Sequence, residues 1–337
     1  MRYQVRLEPQ GRLIEVAPSQ SVLDAALAAG LNLPHSCKSG HCASCRARLR
    51  AGEISYPRGR PPGISAGEAQ AGSILLCQAR ALSDLVVEVR QIAAVSDAEI
   101  KTLPCRIERM ERPAVDVMRL FLRLPAVETF AFQPGQYLDV LLADEQRRSF
   151  SIASPPHDAT LLELHVRHTP GGVFTTALFE RTAPGALLRI EGPLGQFVYR
   201  PSAAPLMLIA GGTGYAPIKA IMRHVLETGL TRPVHLYWGV RDVPDLYEVA
   251  DVQTMCEKFV QLKFAVALSE PHASVPPPWR RGWVHELVLA QHADLSAFDI
   301  YVAGPPALVA AVRETFPART ADPQRIWFDS FDYAPGL

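Results

Sequence analysis

The segment Cys37-Lys-Ser-Gly-His-Cys42-Ala-Ser-Cys45 carries three of the six cysteines of this 337-residue chain, and a fourth follows in Leu76-Cys77-Gln78. The spacing, C-x4-C-x2-C with one distant cysteine, is the pattern by which four thiolates hold a [2Fe–2S] cluster. Gly40 gives the loop the freedom for positive φ that folding around a cluster requires. A structural zinc site and inert thiols are alternatives, although zinc ligands usually come as two close pairs. We predict Cys37, Cys42, Cys45 and Cys77 as the metal ligands.

Length and composition limit the remaining possibilities. The chain is too long for one ordinary core, so we expect two or three domains of about 100 to 150 residues. Lys plus Arg and Asp plus Glu both number 34, which removes any global charge argument for binding nucleic acid or an anionic membrane. The chain starts without an apolar leader and has no stretch near the roughly 18 apolar residues of a membrane span. We expect a cytoplasmic protein with neither of these partners, whose clustered cysteines bind metal in a reducing compartment.

Elements that flank the cysteine loop predict a small β-rich domain. Residues 3–16 alternate around a turn at Gly11, which predicts a hairpin with one buried face. Ser21 is placed to cap a helix that ends at Gly30, and residues 84–89 form a closing strand. Over residues 1–92 the chain resembles a plant-type ferredoxin, and the resemblance implies a β-grasp fold. The apolar pattern weakens over residues 93–104, where we expect a linker.

The first part of the chain is basic. Residues 1–95 contain 11 Lys and Arg against 7 Asp and Glu, and Lys38, Arg46 and Arg48 lie close to the cysteine loop. Such a face would attract an acidic partner, whereas a solvated basic face without a partner is the alternative. We expect a separate electron-acceptor protein to dock near the cluster loop.

The middle of the chain predicts an antiparallel β-barrel, with strands at 118–124, 136–142 and 161–167 separated by Pro and Gly turns. Arg148-Ser-Phe-Ser-Ile-Ala-Ser154 lies at a strand end, and Gly171-Gly-Val-Phe-Thr-Thr176 leads into a helix. An arginine donates directed hydrogen bonds to a pyrophosphate, and amides at a helix start bind the same anion. A surface charge and a plain hairpin turn are the alternatives, but the order of the two motifs favours a flavin phosphate site.

From Pro205 onward, apolar strands alternate with helix-like segments, which predicts a doubly wound parallel sheet. Gly211-Gly-Thr-Gly-Tyr-Ala-Pro217 follows one strand and opens a helix, so its amides are placed to hold a pyrophosphate. Tyr237-Trp-Gly-Val-Arg-Asp242 and Tyr301-Val-Ala-Gly-Pro-Pro306 end two further strands. Three strand ends are therefore expected to converge on one nicotinamide crevice.

These motifs resemble the ferredoxin-NADP reductase superfamily over residues 105–337. The resemblance implies a flavin-binding barrel domain over residues 105–202 and a Rossmann-like nicotinamide-binding domain over residues 203–337. The domain order implies FAD rather than FMN. Together with the first domain, the fold class is a multidomain α+β and α/β protein.

The resemblance also assigns flavin-binding residues. It implies that Arg148 binds phosphate, that Phe150 stacks on the flavin in place of the usual tyrosine, and that Ser151 lies near flavin N5. Backbone groups near the adenine and amides at the glycine turn complete the implied site. The residues concerned are His165, Val166, Arg167, Gly172, Val173 and Thr175.

For the nicotinamide site, family members often carry cysteine where this chain has Ala303, a change that affects positioning rather than redox chemistry. Members that use NADPH often place Ser-Arg where this chain has Ser269-Glu270. A carboxylate repels a 2′-phosphate and accepts hydrogen bonds from ribose hydroxyls, so NADH is expected over NADPH; a solvent-facing Glu270 is the alternative. The residues implied are Gly212, Thr213, Gly214, Pro217, Arg241, Glu270, Gly304 and Pro305.

Near the end of the chain, Phe328-Asp-Ser-Phe331 resembles the acidic-x-aromatic motif of the superfamily. The resemblance implies that Phe331 covers the flavin until the nicotinamide displaces it, and that Asp329 orients the hydride path. With Ser151, these two are the predicted catalytic residues. Core packing is the alternative for Phe331.

The order of ferredoxin first and reductase second resembles reductases of bacterial multicomponent oxygenases and of CDP-deoxysugar dehydrases. This implies hydride transfer from NADH to FAD and release of single electrons through the cluster to a separate acceptor, a CDP-deoxysugar dehydrase or an oxygenase component. One alternative is a free-standing flavin or ferric reductase, which does not require a cluster domain. Another is a regulatory relay with a vestigial nicotinamide crevice, against which the intact turn at 211–217 argues.

Overall fold

The first domain is a mixed five-stranded sheet covered by a helix. The computed structural model describes residues 2–31, 33–35, 38–41, 43–89, 99–126, 128–143, 146–275 and 277–331. The elements of the first domain are β1 (Tyr3–Glu8), β2 (Arg12–Val16), α1 (Val22–Ala28), β3 (Arg46–Ala51), β4 (Ile54–Ser55), α2 (Ala66–Gln70), β5 (Ser73–Leu75), β6 (Arg80–Ala81) and β7 (Leu85–Val89). The sheet order is β2-β1-β7-β3-β5, with β1 and β7 parallel, and β4 pairs with β6 separately. The predicted β-grasp fold is confirmed.

Local sequence explains the start of this domain. β1 and β2 pair antiparallel around the turn at Gly11, as predicted. Ser21 caps α1, since its hydroxyl accepts a hydrogen bond from the Asp24 amide at 3.1 Å. Leu13 is 65 % exposed because strand alternation turns its neighbour Ile14 inward.

The middle domain is one antiparallel six-stranded sheet with a helix. Its elements are β8 (Lys101–Ala114), β9 (Val117–Arg123), β10 (Tyr137–Leu141), β11 (Arg147–Ser151), β12 (Leu162–Arg167), α3 (Val173–Glu180) and β13 (Leu187–Leu194). The strand order is β11-β10-β13-β8-β9-β12. In the described residues the edge strands β11 and β12 meet through one bridge, Ile152 with Leu164, so no continuous ladder closes the predicted barrel. Both strands also contribute lining residues to a large cavity.

The boundary between these domains differs in detail from the expectation. β8 begins at Lys101, within the segment 93–104 expected as a linker. Leu103, Cys105 and Ile107 are buried on alternate positions, so the strand pattern already runs through Pro104. Residues 90–98 lie outside the described residues.

The last domain is a parallel six-stranded sheet with helices on both faces. Its elements are β14 (Leu206–Gly211), α4 (Tyr215–Glu227), β15 (Val234–Val240), α5 (Val249–Lys258), β16 (Leu262–Leu268), β17 (Arg280–Arg281), α6 (Val284–Gln291), β18 (Asp299–Gly304), α7 (Pro306–Thr315) and β19 (Ile326–Ser330). The strand order β17-β16-β15-β14-β18-β19 confirms the predicted doubly wound sheet. One apolar core lies under α4 and α5 and a second under α6 and α7. In the described part of the chain, no helix has the length and apolar character needed to cross a bilayer.

Candidate redox site

A cavity of about 1300 Å³ is lined by residues of all three domains. This volume exceeds the range of about 300 to 1000 Å³ typical of pockets for one small ligand. Lys38, Ser39 and His41 line it from the first domain, close to the cysteine loop. The cavity therefore brings the cysteine loop, the middle sheet and the carboxyl ends of the parallel strands to one place.

Two of the four predicted metal ligands can be placed. Cys37 and Cys42 lie outside the described residues. Cys45 immediately precedes β3 and Cys77 follows β5, and the Leu76 amide donates to the Cys45 carbonyl at 3.1 Å, so the antiparallel pair holds both cysteines at one end. Both side chains are buried, at 3 % and 7 % exposure.

The loop between the cysteines has a strained backbone. Lys38 and Ala43 have positive φ values of 53° and 59°, an uncommon conformation for residues with side chains. Gly40 has a φ of 87°, and a Cβ there would lie 2.7 Å from the Cβ of Pro61. The Gln78 side chain, next to Cys77, donates to the Lys38 carbonyl at 2.8 Å. A tight loop that faces two buried thiols fits the cluster ligand set, whose thiolates would bind iron.

The arginine motif in the middle domain borders the cavity. Arg148 donates to Gln146 Oε1 at 2.6 Å and to the Arg147 carbonyl at 2.9 Å. Phe150 is half-buried against Phe174, with ring centroids 5.5 Å apart, and it lines the cavity beside Arg148. A cation and an aromatic face thus border the cavity side by side, and their contacts with a phosphate and a flavin ring stay predictions.

The glycine turn before α3 lines the same cavity. Gly172 is the N-cap of α3, and a Cβ there would lie 2.8 Å from Thr175 Oγ1. Thr175 donates to the Thr169 carbonyl and accepts from the Thr169 amide, both at 3.1 Å, so this hydroxyl holds the turn. Val173 is 73 % exposed at the first helical position. The turn presents backbone rather than side-chain donors, as an anion site at a helix start does.

The side chains of three successive residues at the end of β12 point in different directions. Val166 is fully buried in the middle core, so only its backbone is available to a cofactor. His165 lines the cavity, with its ring nitrogens 2.9 Å from Tyr247 Oη and 3.0 Å from Glu163 Oε1. The Arg167 guanidinium lies over the turn at Gly212, 3.4 Å from where a Cβ would be. This strand therefore reaches the glycine turn of the last domain.

Two turns of the last domain pack backbone against backbone. A Cβ on Gly214 would lie 2.1 Å from the Ala303 carbonyl oxygen, and Gly304 has a φ of 149°. Gly212, Thr213 and Pro305 line the cavity, while Gly214, Gly304 and Pro217 support these turns from behind. The predicted convergence of the strand ends is thus present, and it depends on glycine at the contact.

Arg241 and Glu270 lie at the edge of the crevice. The Glu270 amide donates to the Arg241 carbonyl at 2.8 Å. Arg241 lines the cavity, and its guanidinium lies 3.3 Å from both Asp245 and Asp116. Glu270 itself is exposed and is not a lining residue.

The C-terminal motif meets the arginine motif. Ser151 Oγ donates to Asp329 Oδ2 at 3.2 Å, and both side chains are buried. The Phe331 amide donates to the Gly304 carbonyl at 2.8 Å, and the half-buried Phe331 lines the cavity rather than a domain core. The three predicted catalytic residues therefore lie on one wall, contributed by two domains.

Comparisons with known proteins agree with this geometry. Family models match as the 2Fe-2S iron-sulfur cluster binding domain over residues 5–82, the oxidoreductase FAD-binding domain over residues 104–199 and the oxidoreductase NAD-binding domain over residues 208–314. The chain is 33 % identical over 334 residues to CDP-6-deoxy-L-threo-D-glycero-4-hexulose-3-dehydrase reductase of Yersinia pseudotuberculosis, with 98 % of this chain and 99 % of the relative covered. The chain belongs to the iron–sulfur flavoprotein reductases.

Further relatives of the reductase include reductase component 1 of terephthalate 1,2-dioxygenase from a Comamonas species, at 32 % identity with 93 % of this chain and 92 % of the relative covered. Among solved structures, an Amycolatopsis cytochrome P450 reductase has a TM-score of 0.80 at 33 % identity and 98 % coverage of both chains. The predicted family is confirmed, as is an oxidoreductase with a [2Fe–2S] domain, an FAD domain and a nicotinamide domain. The Yersinia and Comamonas relatives are a reductase of a dehydrase and a reductase component of a dioxygenase. We call the three parts the ferredoxin, flavin and nicotinamide domains.

His165 and Arg167 were predicted from the sequence as site residues, whereas Glu163 and Lys219 were not. In the reductase, β12 buries Leu162, Leu164 and Val166 in the flavin-domain core, while Glu163, His165 and Arg167 face the nicotinamide domain. The period-two alternation of polar residues in an apolar strand was the available signal. A second signal was Lys219, a cation among the buried residues of α4.

Proposed function

We propose that the reductase takes hydride from NADH and delivers single electrons through its cluster to an acceptor protein that docks at the ferredoxin domain. The contact between Ser151 and Asp329 carries this proposal, because it joins the flavin motif to the C-terminal motif at the wall of the shared cavity. When bound there, FAD supplies the conversion of a two-electron donor into one-electron steps. The chain's own groups hold and orient the two nucleotides and exclude water.

We assign the binding residues as follows. Arg148 and the amides before α3 bind the FAD phosphates, and Phe150 stacks on the flavin ring. The turn at Gly212–Gly214 and the turn at Gly304–Pro305 bind the nicotinamide dinucleotide. The cluster is bound by Cys37, Cys42, Cys45 and Cys77.

Charge at the crevice edge favours NADH over NADPH. Arg241 and Arg167 share Asp116, and Arg241 also contacts Asp245, so two carboxylates balance two guanidinium groups and no surplus positive charge is left for a 2′-phosphate. The exposed carboxylate of Glu270 adds negative charge next to it. We expect Glu270→Arg to lower the ratio of kcat/KM for NADH to that for NADPH at least tenfold.

The acceptor is proposed to be a CDP-deoxysugar dehydrase or an oxygenase component, as for the relatives. Of the three cations predicted near the loop, Lys38 and Arg46 are paired with Asp139 and Glu68, whereas Arg48 is exposed and is proposed to contact an acidic partner. Neither the buried thiol of Cys105 nor the partly buried thiol of Cys256 forms a disulfide bond, which fits a reducing compartment. We therefore propose a cytoplasmic location.

An anaerobic titration followed by visible absorbance tests the proposal. Stoichiometric NADH should bleach both flavin and cluster absorbance, and NADPH should do so at least tenfold more slowly. In Cys42→Ser, cytochrome c reduction should fall while ferricyanide reduction by NADH survives. Flavin that NADH leaves oxidised would support the regulatory relay instead, and full cytochrome c reduction without the cluster would support a free-standing flavin reductase.

A further inference from the structure

Four charged side chains, three of them buried and Arg119 partly buried, form an alternating square between the flavin and nicotinamide domains. Arg119 and Glu163 belong to β9 and β12 of the flavin domain, whereas Lys219 lies in α4 and Glu248 is the N-cap of α5 in the nicotinamide domain. Lys219 Nζ lies 3.0 Å from both oxygens of Glu163 and 2.8 Å from Glu248 Oε1. Arg119 Nε lies 2.8 Å from Glu163 Oε1 and 2.9 Å from Glu248 Oε1. Each carboxylate of this charge square thus contacts one cation from each domain.

The charge square is neutral and shielded from solvent. Glu163, Glu248 and Lys219 are only 4 %, 3 % and 7 % exposed. Burial raises the pKa of Glu163, but the hydrogen bond and charge of His165 and the charges of Lys219 and Arg119 outweigh it and hold the pKa well below its usual range. Loss of one member leaves an uncompensated charge in a medium of low polarity, which is more costly than loss of an exposed pair.

The acidic side of the square also has the ligand spacing of a metal site. Single ligand atoms of Glu163, His165 and Glu248 lie within 4.8 Å of one another. Lys219 and Arg119 already contact both carboxylates and neutralise them. The positive charge that these carboxylates require therefore comes from the chain itself.

The square links the two walls of the cavity. From Glu163, β12 continues to His165 and Arg167, which line the cavity on the flavin-domain side. Lys219 lies one turn after the start of α4, whose N-terminus follows the turn at Gly212–Gly214. A displacement of α4 relative to β12 would therefore move the nicotinamide-side turn relative to the flavin-side wall.

We propose that Lys219 is a positioning residue for hydride transfer, because it fixes the glycine turn of the nicotinamide domain against the cavity strand of the flavin domain through Glu163 and Glu248. This rests on the proposed function, in which both nucleotides occupy the cavity. Hydride transfer requires reacting atoms about 3 to 3.5 Å apart, so a small shift of one domain slows it strongly. Nucleotide binding within one domain is less sensitive to that shift.

The kinetic test uses the full-length protein loaded with FAD and cluster. In anaerobic stopped-flow experiments, Lys219→Met should reduce the limiting rate of flavin reduction by NADH at least tenfold, while the NADH concentration for half-maximal rate changes less than threefold. Lys219→Arg, which keeps the charge, should retain the rate within about threefold. The matched control is Arg223→Met, one turn further along α4, because Arg223 joins the same domains through Asp158 at 2.8 Å near the surface. Its limiting rate should stay within twofold of wild type.

A second readout is independent of activity. In hydrogen–deuterium exchange without NADH, amides of β12 and of the first half of α4 should exchange at least threefold faster in Lys219→Met, but not in Arg223→Met. If Lys219→Met loses flavin on purification, Glu248→Gln replaces it, since the amide keeps the shape and removes the charge. Its limiting rate should fall at least threefold, with the same increase in exchange.

The outcomes separate this proposal from the proposed function. Wild-type flavin that NADH leaves oxidised contradicts the proposed function and with it any role of Lys219 in hydride transfer. Normal wild-type reduction together with a wild-type rate and unchanged exchange in Lys219→Met, or in Glu248→Gln where it replaces that variant, overturns only the positioning role.

Discussion

The contacts of the ferredoxin domain with the rest of the reductase differ in chemistry from the interface between the flavin and nicotinamide domains. Among the described residues, the ferredoxin domain meets the flavin domain through a hydrogen bond between His35 Nε2 and Tyr137 Oη at 2.8 Å, a hydrogen bond from the Gln196 amide to the His35 carbonyl at 2.9 Å, and an ion pair of Lys38 with Asp139 at 3.4 Å. It meets the nicotinamide domain through hydrogen bonds to backbone carbonyls. The interface between the flavin and nicotinamide domains instead contains the charge square and further ion pairs around it.

The difference matches what each interface has to transfer. A hydride moves only between atoms in near contact, whereas an electron crosses a gap without a bonding contact. Ion pairs in a buried network fix both distance and direction, while isolated hydrogen bonds tolerate small adjustments. We infer that geometry is critical at the charged interface and less so at the ferredoxin interface.

The largest expected effect is a loss of electron transfer through the ferredoxin domain while hydride transfer to the flavin is retained. Cys77→Ser removes one cluster ligand, so we expect cytochrome c reduction by NADH to fall at least 100-fold, because the route for single electrons is lost. Ferricyanide reduction by NADH should stay within about twofold of wild type. The measurement is steady-state kinetics with both acceptors.

The control for this variant is Cys105→Ser, which changes a buried thiol in the flavin-domain core outside the proposed ligand set. It should keep cluster absorbance. Parallel loss of both activities in Cys77→Ser would mean that the ferredoxin domain also supports the hydride step.

The sequence predicted more of the cofactor motifs than of the interfaces. Cysteine spacing, glycine turns and strand periodicity are local, so the three domains and the segments around the cavity followed from the chain alone. The family motifs predicted Ser151 and Asp329 individually but not their contact, since 178 positions separate the two residues. Lys219 has no local partner: it contacts Glu163 and Glu248, which are brought together only when two domains dock. Periodicity predicts strands but not how fully they pair. The sequence therefore could not show that the edge strands β11 and β12 of the predicted barrel meet through one bridge in the described residues.

The next largest effect tests the wall shared by the flavin and nicotinamide domains. Asp329→Ala removes the carboxylate that accepts a hydrogen bond from Ser151 across the interface. We expect the limiting rate of flavin reduction to fall about tenfold, which corresponds to about 1.4 kcal/mol of activation free energy. Stopped-flow absorbance at the flavin band measures this limiting rate. The control is Asp322→Ala, which lies before β19 and caps a short 3₁₀ turn instead; an equal loss of rate there would indicate a general effect on β19.

A smaller effect is expected at the ferredoxin interface. His35 is fully buried, with Nδ1 2.6 Å from the Leu33 carbonyl and Nε2 2.8 Å from Tyr137 Oη. Tyr137→Phe leaves that nitrogen without its hydroxyl partner, so we expect the free energy of unfolding to fall by about 1 kcal/mol. Urea unfolding measures this loss, and the rate of cluster reduction should change less than threefold. A tenfold decrease in the rate of cluster reduction would show that this interface is as sensitive to geometry as the interface between the flavin and nicotinamide domains.

The smallest expected effect is a pH dependence of folding stability, which comes from His224 at the edge of the interface between the flavin and nicotinamide domains. Burial and the neighbouring His157 lower the pKa of His224, whose ring also lies 5.6 Å from that of Tyr199. Because the folded pKa is below the unfolded value of about 6.5, the unfolded chain binds more protons as the pH falls. The stability that His224 contributes is therefore present above about pH 6.5 and is lost as the pH falls toward the folded pKa. The ring is partly exposed, so we expect less than about 1 kcal/mol.

Thermal unfolding at pH 7.5 and pH 5.5 measures this dependence, with His224→Phe as the variant that keeps the ring and removes the titration. The decrease in Tm between the two pH values should be smaller in the variant than in wild type. Nearby Glu227 contributes little in this window: although burial raises its pKa, the hydrogen bonds from Arg223 and His157 outweigh burial and lower it, so that carboxylate stays ionised. Equal decreases in both proteins would mean that protonation of His224 does not oppose docking of the two domains.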